Sequence, residues 1–212
     1  MADKNYDIYA DMDVGEPVKC YLAANYELEL AMEYLVEELE KAGKANDTVI
    51  AICPDHYPYG LEDSVAWDTG KNYLYELYGV DEMNNMTKEH SVAIIWSGCL
   101  EDLEDPIRVT EPSYSLDLLP TLSNLFGVEY DSRMLTGRDV LSDAEPLVIW
   151  LDRSWKTDVG YFDSIKQQFT PTEEGAEVSQ EYIDQINQIV RNKLLFAENA
   201  IDCDFYGAVL VD

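Results

Sequence analysis

The stretch Thr48-Val49-Ile50-Ala51-Ile52-Cys53-Pro54-Asp55-His56-Tyr57 decides how the chain is read. Its first six residues form an apolar, β-branched run without the alternation of a half-buried strand. Such a run is expected of a parallel strand covered on both faces. The run stops at Pro54, and Asp55 and His56 follow at once. In open α/β sheets, ligands collect beyond the carboxyl ends of the strands, so this pair stands where a site is expected. A carboxylate and an imidazole on a loop stiffened by Pro54 and Pro58 can ligate one divalent ion. Taken alone the dipeptide is a weak signal, and a capping Asp beside a hydrogen-bonded His is the plainer reading.

Outward from this stretch the pattern alternates between helix and strand. Upstream, Ala24, Leu28, Ala31, Leu35 and Leu39 recur at helical spacing from Tyr21 onward, and Gly43 stands where a left-handed cap is needed. Residues 1–19 are acidic and aperiodic and read as a loop or tail. Downstream, residues 91–96 (Ser-Val-Ala-Ile-Ile-Trp) form a second apolar run, with a Tyr-rich short helix expected over 67–78. Pro120 and Gly127 bracket a helix of about two turns. A third run, Leu147-Val148-Ile149-Trp150-Leu151, precedes a Tyr/Trp/Thr-rich stretch suited to a small antiparallel extension. The end is a long helix capped by Ser179, with Ile183, Ile186, Val190, Leu194, Ala197 and Ile201 as its stripe. The expected fold is therefore α/β: a mostly parallel sheet flanked by helices, with a small antiparallel extension and a long C-terminal helix.

Composition narrows the function. The 212 residues carry 43 acidic and 14 basic side chains, a formal charge of −29, and are 47% hydrophobic. There is ample material for a core, so the charge does not signal disorder. It does exclude nucleic acid as a partner, because that affinity rests on neutralising phosphates with Lys and Arg. An anionic membrane surface is disfavoured for the same reason. No apolar run approaches a membrane span, and the polar start is not a signal peptide, so the chain is expected to be soluble. Cys20, Cys53, Cys99 and Cys203 are widely spread; Cys53 and Cys99 read as small buried core residues.

Other chemistry is sparse. His90 reads as a turn residue before the second run, and Tyr73, Tyr75 and Tyr78 as core and rim of a short helix. Glu37-Glu38 and Glu101-Asp102 read as solvated faces. There is no nucleophile elbow, phosphate-binding loop or zinc motif.

Three segments together resemble one family. The stretch 48–57 resembles the "TVIVxxGDHY" segment of the lipoteichoic acid synthase family, phosphoglycerol transferases of the sulfatase/alkaline phosphatase superfamily. Residues 115–128, with Asp117, Pro120, Thr121 and Gly127, are similar to that family's "DxxPTLLxLxGI" helix. Gly137-Arg138-Asp139-Val140-Leu141-Ser142 is similar to its "GRDLLS" segment. The order matches, and the terminal helix fits the family's C-terminus.

The resemblance implies that residues 1–212 are the C-terminal part of a sulfatase-like catalytic domain. Within it, 1–20 would be a loop or tail, 21–151 an α/β portion, and 152–212 a small extension with the terminal helix. It implies one divalent metal, Mn²⁺ first and Mg²⁺ or Ca²⁺ as alternatives, held in part by Asp55 and His56. The family's remaining ligands, a Glu and a nucleophilic Thr, belong to an N-terminal half that has no counterpart here, so no catalytic residue is assigned. That half becomes an expected partner, and the parent's substrate a phosphoglycerol lipid or glycolipid at the extracellular face of the membrane. A missing half would also leave an exposed sheet edge through which the chain dimerises. Pro54 departs from the family's Gly and would aim Asp55 somewhat differently. The alternative is a non-catalytic module of the same fold that binds cations, cell-wall polymer or a partner protein.

Overall fold

The computed structural model describes residues 2–62, 71–100, 103 and 105–209. The chain divides into two compact units, residues 1–106 and 107–212. The expected helix over 67–78 and the Glu101-Asp102 pair fall partly or wholly outside the described residues.

The first unit opens with helix, not with a loop. α1 (Ala2–Tyr9) packs on α2 (Glu16–Lys41), so the expected tail over 1–20 is a helical hairpin. A polar residue holds it: the Asn5 amide, buried, donates to the Ala23 carbonyl at 3.2 Å and to Glu27 at 2.6 Å. An apolar stripe is what the sequence pattern detects, and α1 lacks one. α2 begins five residues earlier than its stripe suggests, with Pro17 in its first turn. Gly43 follows its C-cap with φ +65°, the left-handed conformation its position required. The stripe itself is not covered: Leu28 and Leu35 are exposed. The core instead forms at the other end of the helix, where Val18 meets Leu61, Tyr73 and Leu74.

β1 (Val49–Ile52) and β2 (Ile94–Ser97) pair with each other, but antiparallel, with Val49 opposite Ser97 and Ile52 opposite Ile94. This corrects the expected mostly parallel sheet: among the described residues both sheets are small and antiparallel. The reason lies in the connection. A parallel partner needs a crossover helix long enough to return the chain along the strand. Among the described residues, the helices between β1 and β2 are α3 (Tyr59–Glu62), α4 (Leu74–Tyr78) and α5 (Asn85–Glu89). At about 1.5 Å per residue each is shorter than the strands it would have to span. Leu61, Tyr73 and Leu74 draw α3 and α4 onto α2, and the chain re-enters beside the end it left. The strands are not buried on both faces either: Val49 and Ala51 are exposed, and Ile94 is 50% exposed. Cys53 and Cys99, expected in a core, are exposed free thiols.

In the second unit, a turn over Ser115–Asp117 leads into α6 (Leu118–Leu125), which ends at Gly127 with φ +63°. The segment 137–142 lies along it, tied by three helix-spaced side chains. Asp117 accepts from the Arg138 amide at 2.7 Å, Thr121 Oγ1 from the Val140 amide at 3.1 Å, and the Asn124 amide donates to Asp139 at 2.6 Å. Asp117, Thr121 and Asp139 are buried. Gly137 is needed for close approach, since a Cβ there would sit 2.0 Å from the Leu116 carbonyl oxygen. Two of the three segments singled out in the sequence therefore meet face to face.

The antiparallel extension forms as expected but takes in the third apolar run. β3 (Val148–Ile149), β4 (Trp155–Lys156), β5 (Gly160–Asp163) and β6 (Gln168–Pro171) make a meander in chain order. Val148–Ile149 thus pairs with β4 rather than joining β1 and β2. α7 (Gln180–Asp202) covers the meander, with Ser179 accepting from the Tyr182 amide at 3.2 Å as its N-cap. Ile183, Ile186, Val190 and Leu194 pack with Trp155, Phe162 and Phe169. The fully buried Trp155 indole donates to Asn187 at 2.8 Å. The stripe fails at its far end: Ile201 is 81% exposed. There Asp204, at φ +48°, turns the chain into α8 (Phe205–Val209), and Phe205 packs on Phe196. Among the described residues no helix is long and apolar enough to cross a membrane.

Candidate functional site

β1 ends at Ile52, and residues 53–58 run in an irregular loop, with no regular hydrogen-bonded structure, before α3 begins at Tyr59. Two prolines limit the loop's freedom and remove two amide donors. Asp55 and His56 project from its middle, and their side chains are 89% and 44% exposed.

The imidazole is oriented from two sides. His56 Nδ1 lies 2.7 Å from the Tyr57 carbonyl oxygen. A carbonyl only accepts, so Nδ1 carries a proton, and in the neutral ring Nε2 is the nitrogen with the lone pair. The ring is stacked on Tyr59, with centroids 3.9 Å apart and an interplanar angle of 19°. Tyr59 in turn meets Tyr57 edge-on at 5.2 Å. Tyr57 is anchored by its hydroxyl, which donates to the Glu62 carboxylate; that bond raises the phenol above its ordinary value. Lys88 closes the arrangement, 3.2 Å from Glu62 and 4.6 Å from the centre of the Tyr57 ring.

The free nitrogen faces the neighbouring carboxylate: His56 Nε2 is 3.5 Å from Asp55 Oδ1. Two ligands each about 2.1 Å from one ion lie roughly 3 to 3.5 Å apart on adjacent vertices. The pair therefore fits a shared divalent ion. The backbone carbonyl on Nδ1 is the outer-shell partner that a metal-bound histidine ordinarily has. No group of three or more His, Cys, Asp or Glu side chains gathers among the described residues, so this pair supplies two donors and no more.

The other singled-out residues do not join it. His90 caps the C-terminal end of α5 and is exposed. Tyr73 lies in the core, Tyr75 is exposed, and Tyr78 donates to the Lys88 carbonyl at 3.1 Å, the expected division of core and rim. Glu37 and Glu38 both pair with Lys41 on the solvent face of α2. The sequence reading missed Tyr59 as the ring beneath His56. Its signal was present as an aromatic three residues on, at the start of a helix after Pro58. Glu62 and Lys88 as the support for Tyr57 left no such signal, because Lys88 arrives from α5.

No protein-family model matches this chain, and no curated protein matches it.

Proposed function

We propose that this chain is the C-terminal portion of a metal-dependent phosphoglycerol transferase of the lipoteichoic acid synthase type, in which Asp55 and His56 supply two of the metal ligands. The observation that carries the reading is the Asp55–His56 pair at the carboxyl end of β1, in a chain where two further family-like segments follow in order. Those two segments, 115–128 and 137–142, hydrogen-bond to each other in the second unit, as parts of one inherited structure would. The uncovered stripe of α2 and the exposed faces of β1 and β2 also support it, since an N-terminal half would have apolar surface to cover.

In the parent, the ion would lower the pKa of a hydroxyl nucleophile and neutralise charge at phosphorus. Asp55 contributes negative charge to the site, and His56 a directed lone pair from Nε2. The nucleophile would come from the other half, so this chain alone is inactive.

Calorimetric titration of the 212-residue chain with MnCl₂ tests the reading. The expected result is weak binding at one site, in the high-micromolar to millimolar range, lost in both Asp55→Asn and His56→Gln. Tight, stoichiometric binding would overturn the half-site and favour a self-contained cation-binding module. Unchanged heats in the two variants would show that the acidic surface binds Mn²⁺ elsewhere.

A further inference from the structure

Both restraints on the His56 ring trace back to one neighbour. The Tyr57 carbonyl oxygen accepts from the imidazole Nδ1 at 2.7 Å and from the Tyr59 amide at 2.9 Å, so its two lone pairs are both engaged. The Tyr59 ring, stacked on His56, meets the Tyr57 ring edge-on. A displacement of Tyr57 therefore moves the hydrogen-bond acceptor and the stacking ring together.

Tyr57 itself is held at its far end by a carboxylate with two duties. One Glu62 oxygen accepts from the Tyr57 hydroxyl, and the other lies 3.2 Å from Lys88 Nζ. Lys88 also sits over the face of the Tyr57 ring. Neither charge is freely solvated, the Glu62 and Lys88 side chains being 34% and 19% exposed. A fully exposed pair of this kind holds little geometry, whereas a shielded, charge-assisted one keeps a single arrangement. The Lys88 main chain is tied as well, its carbonyl accepting from the Tyr78 hydroxyl at 3.1 Å. The loop that carries His56 is thus braced from α5, 26 residues beyond Glu62.

We propose that Glu62 and Lys88 are positioning residues for His56: acting through Tyr57, they hold the imidazole in its Nδ1–H form with Nε2 toward Asp55. The brace serves an ion only where Asp55 and His56 are metal ligands, so it rests on that reading, but its first test needs no metal. Long-range ¹H–¹⁵N correlation NMR on the whole chain at about pH 8, where an ordinary imidazole is neutral, separates the two tautomers. His56 should be protonated at Nδ1 in the parent chain and in Lys88→Arg, which keeps a cation on Glu62. It should become a mixture of both tautomers in Lys88→Met, Glu62→Ala and Tyr57→Phe. A merely structural pair would lower the urea midpoint of these variants and leave the tautomer of the folded chain unchanged, and that result would overturn the proposal. A mixed or Nε2-protonated His56 in the parent chain would overturn it as well. Paramagnetic broadening of the His56 ring signals by MnCl₂ then reads the effect on the ion. Lys88→Met should need roughly tenfold more Mn²⁺ than the parent chain for the same broadening, and an equal requirement would overturn the role toward the metal. No broadening at His56 in the parent chain would sink the metal-site reading instead, with the positioning still supported by the tautomers.

Discussion

His56 has one nitrogen to offer a metal, and the structure determines which. The Tyr57 carbonyl takes the proton-bearing Nδ1, and the stack on Tyr59 fixes the plane, so Nε2 faces Asp55. The two proposed ligands were legible in the sequence because they are adjacent and follow an apolar run. The stacking partner was not, because a stack depends on how the loop turns into α3. Asp117 shows the opposite case, a motif residue whose work is structural. Its burial raises the carboxyl above its ordinary value, against two backbone donors that pull it down. A raised native pKa means the native state holds its proton more tightly than the unfolded chain. Its contribution is therefore full below the unfolded value of about 3.9 and is lost as pH rises through the native one. The stability difference between the parent and Asp117→Asn should favour the parent most in acid and shrink toward neutrality. Urea unfolding at a series of pH values reads this directly. A difference that is flat with pH would mean that Asp117 is not desolvated.

At the scale of elements, the sequence placed most strands and long helices but not their partners. The run over 48–53 holds a strand, yet its apolar character predicted cover on two faces and a parallel neighbour, and among the described residues it has neither. Periodicity reports which residues prefer burial, not whether anything arrives to bury them. The helices described between β1 and β2 are too short to cross over, and helix length is the weakest part of a sequence reading. By contrast, the caps at Gly43, Gly127 and Ser179 were legible because each requirement is local. The docking of 137–142 on α6 also depends on one local requirement, the missing Cβ of Gly137. Gly137→Ala should force the segment off the Leu116 turn at a cost of about 1–3 kcal/mol. The check is a lower urea midpoint at unchanged slope. A variant as stable as the parent would show that this contact does not hold the segment.

For the molecule as a whole, two forces oppose each other. A formal charge of −29 keeps copies apart, while the exposed faces of β1, β2 and α2 favour association. Screening weakens the first and leaves the second, because the Debye length falls from about 30 Å at 0.01 M salt to about 3 Å at 1 M. Sedimentation velocity should show a shift from monomer toward dimer as NaCl is raised. A clean monomer at high protein concentration in 1 M salt would count against an available sheet edge, and against the idea that another half normally covers it.

The order of the strands has a consequence in time. In the second unit each strand of β3-β4-β5-β6 pairs with its immediate successor, and α7 follows directly. Closing such short loops is entropically cheap, and hairpins of this kind form on the microsecond scale. The β1–β2 ribbon must instead bring together segments separated by all of residues 53–93. During synthesis the N-terminal ribbon therefore emerges first and closes late. Until α3 and α4 have settled on α2, and Lys88 of α5 on Glu62 and Tyr57, two apolar strands remain open to any neighbouring chain, which makes this interval the point at which misassembly competes with folding.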